Sequence, residues 1–143
     1  MSDRQKLTGG CLCGAVRYET MGTPLRVAHC HCERCRRSTG AAFATGVCFP
    51  VKAVTWKRGE PVSYQSSKSF ARLFCSRCGS SVAQHNLAAG TMWPLAGTLD
   101  RPEFVIPEFH MFIEEQLSWV KLDDGLPCHS TFAPTRSGKE EDD

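Results

Sequence analysis

The segment CHCERCRR, residues 30–37, places three cysteines within six positions. Cysteine thiolates this close together suit a metal ion, because several ligands of one ion can come from a single tight turn. A tetrahedral ion held only by protein groups needs four ligands, and Cys30, Cys32 and Cys35 supply three of them. The chemistry of this segment therefore depends on what fills the fourth position.

Two further cysteine pairs lie in GGCLCGA and FCSRCGS: Cys11 with Cys13, and Cys75 with Cys78. A C-x-x-C pair followed by glycine is typical of a zinc knuckle, in which Gly79 allows the positive φ that turns backbone N–H groups toward the thiolates. A thioredoxin-like redox pair is the alternative, but it needs a βαβ context, whereas this chain offers strands. Joined together, the two pairs would form a closed four-cysteine site, which is structural because it leaves no position for chemistry.

The trio at 30–35 has two interpretations. In the first, a second structural ion takes its fourth ligand from one of four nearby candidates: Cys48, Cys128, His29 or His31. In the second, the fourth position stays open for water or a substrate, as it does in catalytic zinc sites. Spacing alone does not separate the two, and it does not prove which cysteines share an ion.

Composition limits the functional classes. The chain has 143 residues, the size of one domain, and seven of its nine cysteines fall in the clusters. The N-terminus lacks an apolar signal region, and no apolar run approaches the roughly 18 residues that a membrane span needs. We therefore expect a cytoplasmic protein whose thiols stay reduced. The net charge of +2 comes without a Lys/Arg block or a basic aromatic stripe, so neither nucleic acid nor a membrane is an expected partner.

The rest of the pattern predicts an all-β domain. Short segments rich in β-branched and aromatic residues are separated by turn residues, at the spacing typical of such domains. These segments are 15–20, 42–49, 53–56, 61–66, 71–75, 81–85, 103–113 and 117–122. A turn of helix is predicted at CERCRRS, because it would put two cysteines three positions apart on one face.

We divide the chain into three parts. Residues 1–6 are predicted to be an N-terminal extension, residues 7–134 the zinc domain, and residues 135–143 a disordered tail that ends in four acidic residues. No repeat or linker splits the domain, and the sequence does not predict an oligomeric state.

Five segments resemble one known family. In order, they are GGCLCGAVRYE, CHCERCRRSTGAAF, FCSRCGSSV, AGTLDRP and WVKLDDGLP. Over about residues 7–128 the chain is similar to the glutathione-dependent formaldehyde-activating enzymes (Gfa), whose domain also occurs in centromere protein V. The resemblance implies an all-β, Mss4-like β-tent fold with two Zn²⁺ ions per chain.

The resemblance also implies a division between the two sites. It assigns Cys11, Cys13, Cys75 and Cys78 to a structural zinc, and Cys30, Cys32 and Cys35 to a catalytic zinc with an open position. Cys48 and Cys128 lie outside the pattern, and we expect both to be ordinary buried or half-buried thiols.

A carbon–sulfur lyase is the activity that the resemblance implies. A three-thiolate zinc favours a soft fourth ligand, such as the thiol of glutathione, and formaldehyde adds to that thiol as an S-hydroxymethyl adduct. His29, His31 and His85 are candidates to move the hydroxyl proton. The alternatives are a non-catalytic zinc-stabilised binding module and a methionine sulfoxide reductase, for which Cys128 would be a poor nucleophile.

Two further residue sets have a structural and a functional interpretation. The arginines that flank the trio, Arg34, Arg36 and Arg37, either bind the carboxylates of a glutathione-like substrate or are solvated surface residues. The tryptophans Trp56, Trp93 and Trp119 are predicted to pack in the core or on strands.

Overall fold

The computed structural model describes residues 6–134 of the chain. Within that range the protein is mostly β-structure, which confirms the predicted all-β class. The strands are β1 (Lys6–Gly10), β2 (Arg17–Met21), β3 (Arg26–Cys30), β4 (Ala44–Pro50), β5 (Val54–Arg58), β6 (Val62–Gln65), β7 (Phe70–Phe74), β8 (Ser81–Asn86), β9 (Thr91–Pro94) and β10 (Phe109–Met111).

The strands form two sheets. A seven-stranded sheet has the order β10-β3-β4-β9-β8-β7-β6, and a three-stranded sheet has the order β1-β2-β5. The only parallel pair between these strands is β10 with β3. The main core draws fully buried side chains from both sheets, among them Tyr18, Val47, Phe49 and Val82. Burying one such large apolar side chain stabilises the folded state by about 1.5–3 kcal/mol.

A short helix, α1 (Glu33–Thr39), follows β3 and carries part of the cysteine trio. Cys32 is its N-cap, and the sulfur of Cys32 accepts a hydrogen bond from the backbone N–H of Cys35 at 3.3 Å. Gly40 ends the helix with a φ of 71°, a left-handed conformation that glycine adopts without steric cost. The predicted helical turn at CERCRRS is therefore present, and Cys32, a member of the cysteine trio, caps it.

The C-terminal third contains less strand than the sequence pattern indicates. Of the predicted strand 103–113, only Phe109–Met111 is a strand, and Pro102–Phe104 forms a 3₁₀ turn. The predicted strand at 117–122 is wrong, because this segment turns back on itself through a bond from the N–H of Val120 to the carbonyl of Leu117. Conversely, β1, β3 and β9 were not predicted.

Burial corrects two further predictions. Trp93 is 4% exposed and Trp56 packs edge-on against Tyr18, but Trp119 is 68% exposed and does not belong to the core. Cys48 is buried as predicted. The expectation of a buried or half-buried thiol is wrong for the other cysteine outside the pattern, Cys128, which is exposed.

The predicted tail at 135–143 and the first five residues of the predicted N-terminal extension lie outside the described residues. Lys6, which was assigned to the extension, begins β1. Between residues 6 and 134, the one α-helix has seven residues, far fewer than a helix needs to cross a bilayer.

Candidate metal centres

The first metal centre joins two loops that are distant in sequence. The sulfurs of Cys11, Cys13, Cys75 and Cys78 all lie within 4.8 Å of one another. The sulfur of Cys13 is 3.7 Å from that of Cys11 and 3.8 Å from that of Cys75. Tetrahedral zinc with Zn–S bonds of about 2.3 Å places its sulfurs about 3.8 Å apart. The four cysteines thus fit a closed tetrahedral site, although their spacing in the sequence does not by itself show that they share an ion.

Backbone N–H groups support these sulfurs. The N–H of Val16 donates to the sulfur of Cys11 at 3.3 Å, and the N–H groups of Arg77 and Cys78 donate to the sulfur of Cys75. Gly79 has a φ of 76°, which is the positive value that the knuckle needs. These bonds favour thiolates, because each places a partial positive charge beside a sulfur.

Ser80 links the two loops of this centre. Its hydroxyl lies 3.1 Å from the sulfur of Cys78 and accepts a hydrogen bond from the backbone N–H of Leu12. Contact with Ser80 lowers the pKa of Cys78 to about 5. The thiolate form of Cys78 therefore predominates at neutral pH, and this form binds cations.

The second centre lies where β3 ends and α1 begins. The sulfurs of Cys30, Cys32 and Cys35 also lie within 4.8 Å of one another, and Cys32 and Cys35 are almost fully buried. Among the described residues, no fourth cysteine, histidine or carboxylate joins this group. The candidates that sequence analysis offered for a fourth ligand do not lie there, which leaves a three-thiol site.

Two polar side chains from the neighbouring strands contact the trio. The guanidinium of Arg72, on β7, lies 3.5 Å from the sulfur of Cys35, and the amide nitrogen of Gln84, on β8, lies 3.6 Å from it. Hydrogen bonds from Cys30 and Cys32, together with the charge of Arg72, hold the pKa of Cys35 well below its usual value. No local sequence pattern points to Arg72 or Gln84, because these two residues reach Cys35 only through the positions of β7 and β8 in the folded sheet.

An apolar chamber lies against one side of the trio. It has a volume of about 30 Å³, enough for a group of very few atoms. Its apolar walls are Phe70, Trp93, Met111, Phe112 and Phe132. The backbone of Phe112 has a φ of 58°, an uncommon conformation for a residue with a side chain and one that occurs at functional sites.

A basic groove of about 440 Å³ lies near the trio, although none of the three cysteines lines it. Arg34 and Arg37 from α1 line it, together with Tyr64 and Ser66. Arg72 and Gln84 line both this groove and the apolar chamber, and both contact the sulfur of Cys35. Arg36, the third arginine of the sequence prediction, instead lines a different shallow cavity with Leu117 and Trp119.

The three histidines considered for proton transfer do not line either space. His29 and His31 contact the ring of Phe43 and the ring of His110 instead. His85 pairs with Ala71 and Met92 and follows Gln84 along β8, so its side chain points to the other face of the sheet.

A third group of potential ligands lies away from the cysteines. Nitrogens of His29 and His110 and a carboxylate oxygen of Asp124 all lie within 4.8 Å of one another. Of these three residues, only His29 is a candidate on the basis of the sequence. The others come from distant parts of the chain, and the motif WVKLDDGLP, which contains Asp124, was noted only for its resemblance.

Comparisons with known proteins identify a family to which the chain is similar. Residues 6–115 match the family model described as glutathione-dependent formaldehyde-activating enzyme. An uncharacterized lyase of Schizosaccharomyces pombe is 33% identical over 75 residues, covering 52% of this chain and 53% of that protein, so the chain spans about half the length of this relative. A protein of Halomonas elongata, named after the glutathione-dependent formaldehyde-activating enzymes, is 28% identical over 127 residues, covering 82% of this chain and 81% of that protein.

The fold has a counterpart among solved structures. The crystal structure of a Rhodobacter sphaeroides protein superimposes with a TM-score of 0.55 and 21% identity, covering 85% of this chain and 98% of that one. At this identity the likeness concerns the fold alone. The family match covers most of the chain, and both cysteine clusters of the sequence prediction are assembled. The chain therefore belongs to the glutathione-dependent formaldehyde-activating enzyme family.

Proposed function

We propose that the protein is a zinc-dependent carbon–sulfur lyase that makes or cleaves an S-hydroxymethyl thiol adduct beside Cys30, Cys32 and Cys35. The observation that carries the proposal is that this three-thiol group lines an apolar chamber and has no fourth protein ligand among the described residues, while its contacts Arg72 and Gln84 also line a basic groove. The other four cysteines would hold a structural zinc. A reducing, cytoplasmic location is part of the proposal, because the thiols must stay unoxidised.

Both donor sets fit Zn²⁺, since thiolates are its preferred protein ligands. At the trio, the ion would supply one function: it would lower the pKa of a substrate thiol and hold it as a thiolate. The protein's own contribution begins with charge. Three thiolates and a dication carry a net charge of −1, and the guanidinium of Arg72 beside Cys35 offsets it.

The basic groove suits a thiol that carries carboxylates. Guanidinium groups bind carboxylates through paired hydrogen bonds, and Arg34 and Arg37 provide two such groups beside the trio. The groove volume of about 440 Å³ lies in the range of small-molecule sites. A small-molecule thiol such as glutathione would thus place its charged ends in the groove and its sulfur at the cysteines.

The apolar chamber suits the carbonyl partner. When the thiol adds to formaldehyde, a carbon–sulfur bond forms, the carbonyl π bond breaks, and the proton lost by the thiol ends on the new hydroxyl oxygen. A volume of about 30 Å³ limits that partner to a very small group. Phe70 and Trp93 would keep bulk water from the carbon, and the amide of Gln84 is placed to hydrogen-bond the hydroxyl.

Zinc counting and thiol titration test the proposal. Purified protein is assayed for zinc and then titrated with glutathione, while X-ray absorption at the zinc edge reports the ligands. We expect two zinc ions per chain. Glutathione should add one sulfur ligand to one of them, and because X-ray absorption averages over both ions, the mean sulfur count per zinc should rise by about one half. Exchange of label between free and adduct formaldehyde, followed by NMR, measures the reaction itself.

Matched variants separate the lyase from a binding module. Cys32→Ser should abolish the exchange and the new sulfur ligand, whereas Cys128→Ser, at an exposed thiol outside both clusters, should change neither. If wild-type protein holds two ions that both have four protein ligands and ignore glutathione, the lyase proposal is wrong and the zinc-stabilised binding module is favoured.

A further inference from the structure

Two histidines occupy neighbouring positions on one face of the seven-stranded sheet. His29 pairs with His110 across β3 and β10 and with Thr45 across β3 and β4. Directly paired residues lie on the same face of a sheet, whereas successive residues alternate between faces. Cys30 therefore faces the opposite side of the sheet from the histidine pair.

Hydrogen bonds hold both imidazole rings by the Nδ1 atom. Nδ1 of His29 lies 2.7 Å from the hydroxyl of Thr45, and Nδ1 of His110 lies 2.8 Å from Nε2 of His31. The two rings stack at 4.7 Å between centroids. Metal-binding histidines are held in this way, with one nitrogen fixed by a neighbouring group and the other presented to the ion.

Asp124 supplies a carboxylate at the same place. Its Oδ2 atom lies 2.8 Å from Nε2 of His110, while Oδ1 accepts a hydrogen bond from the backbone N–H of Leu126 at 3.1 Å. The loop is anchored to β10, because the N–H of His110 donates to the carbonyl of Pro127. One carboxylate oxygen is thus held by the loop and the other is directed at the imidazoles.

This group is buried on the side of the sheet and accessible to solvent on the side of the loop. His110 is 1% exposed, and the ring of Phe43 packs edge-on against His29 at 5.1 Å. The side chain of Asp124 is 43% exposed, so solvent reaches the group from the loop side. A bound ion could therefore keep water as additional ligands and exchange through that opening.

We propose that His29, His110 and Asp124 form a third metal site, separate from both cysteine clusters, for a divalent transition metal ion such as Zn²⁺, Co²⁺ or Fe²⁺. Two imidazoles and one carboxylate suit these ions rather than Mg²⁺ or Ca²⁺, which prefer oxygen ligands. The site has one negatively charged ligand, whereas the cysteine clusters have three and four thiolates. It is therefore the weakest of the three sites and fills last.

Cobalt titration of zinc-loaded protein tests this site, with CoCl₂ as the probe. We expect one further equivalent of Co²⁺ to bind with the two zincs retained, without the near-ultraviolet charge-transfer absorption that thiolate ligands give. In the same sample, the ring protons of His29 and His110 should show paramagnetic shifts. This readout needs no variant and does not depend on enzymatic activity.

Asp124→Asn provides the variant test, and Asp123→Asn is its control, since both aspartates are exposed neighbours in one loop. Asp124→Asn should lower the affinity for the additional Co²⁺ by at least tenfold, whereas Asp123→Asn should leave that affinity unchanged. The proposal is overturned if zinc-loaded wild type takes up no Co²⁺ without losing zinc, or if Asp124→Asn binds it as tightly as wild type does. In either case, Asp124, His110 and His31 are a hydrogen-bonded chain only.

Discussion

The guanidinium of Arg72 lies 3.5 Å from the sulfur of Cys35, and both side chains are buried. Burying a guanidinium is costly unless a negative charge compensates it. The other hydrogen bond of this group runs to the neutral hydroxyl of Ser66, so the thiolate of Cys35 is its negative neighbour. An electrostatic contact between Arg72 and Cys35 thus connects strand β7 to the cysteine trio.

We expect Arg72→Met to weaken metal binding at the trio. The substitution keeps much of the apolar stem but removes the positive charge that offsets three thiolates. Loss of a group beside a metal ligand commonly costs about 10–100-fold in affinity or activity, and we expect a change of that size. Competition with a chromophoric chelator measures the affinity. The control is Arg77→Met, which removes an exposed arginine beside the other cluster and should leave the trio's affinity unchanged.

We expect the four-cysteine cluster to contribute mainly to stability and the three-cysteine cluster mainly to activity. The four-cysteine group joins the loop after β1 to the loop after β7, so a metal ion bound there would contribute to folding directly. Cys75→Ser should therefore lower the free energy of unfolding by several kcal/mol. Cys32→Ser retains a side-chain oxygen that can cap α1 and should keep most of the stability while abolishing activity. Chemical denaturation of both variants, with zinc counted in each, makes the comparison. Equal loss of stability in the two would contradict the division.

The cysteine clusters could be predicted from sequence because metal ligands in tight turns are close in the chain as well as in space. The same reasoning fails for Arg72 and Gln84, which reach Cys35 only because β7 and β8 lie beside α1. His110 is likewise 79 residues from His31, its hydrogen-bond partner, and no local pattern links the two. Pairing between distant strands produced these contacts, and a single sequence does not encode that pairing as a local signal.

Strand prediction failed where tertiary context overrides local propensity. The sequence pattern does not predict β3, because its five residues, RVAHC, form a short segment whose last residue, Cys30, belongs to the cysteine motif. The segment 117–122 is rich in apolar residues but pairs with no strand among residues 6–134. Its hydrogen bonds are local, including one from the side-chain amide of Gln116 to the carbonyl of Val120. Trp119 is exposed for the same reason.

Gly46 is predicted to control the size of the apolar chamber. A Cβ atom at this position would lie 2.9 Å from the Trp93 ring, which itself lines the chamber. Gly46→Ala should displace that ring and cost about 1–3 kcal/mol of stability, as overpacking of a core does. It should also lower kcat/KM. Gly97→Ala is the control, because its Cβ would meet no atom within 4 Å. Thermal unfolding and adduct exchange measured on both variants test the prediction.

Tyr18 should make the protein less stable in alkali. Its side chain is 1% exposed, its hydroxyl lies 2.7 Å from that of Thr98, and burial raises its pKa from 10.0 to about 12. Between these two values the unfolded chain loses the phenol proton while the folded chain keeps it. Stability that is complete below pH 10 therefore falls as pH rises, by about 1.4 kcal/mol per pH unit for one such group.

Comparison of two single variants isolates this contribution, because the chain has only two tyrosines. Tyr18→Phe loses the hydrogen bond to Thr98 and should be less stable than wild type at pH 8, but its stability should decline less between pH 10 and 12. Tyr64→Phe, which removes a side chain that is 65% exposed, should decline as wild type does. Urea unfolding at several pH values gives the slopes. Parallel slopes for wild type and Tyr18→Phe would mean that Tyr18 ionises alike in the folded and unfolded chains, and its burial would then have no effect on alkaline stability.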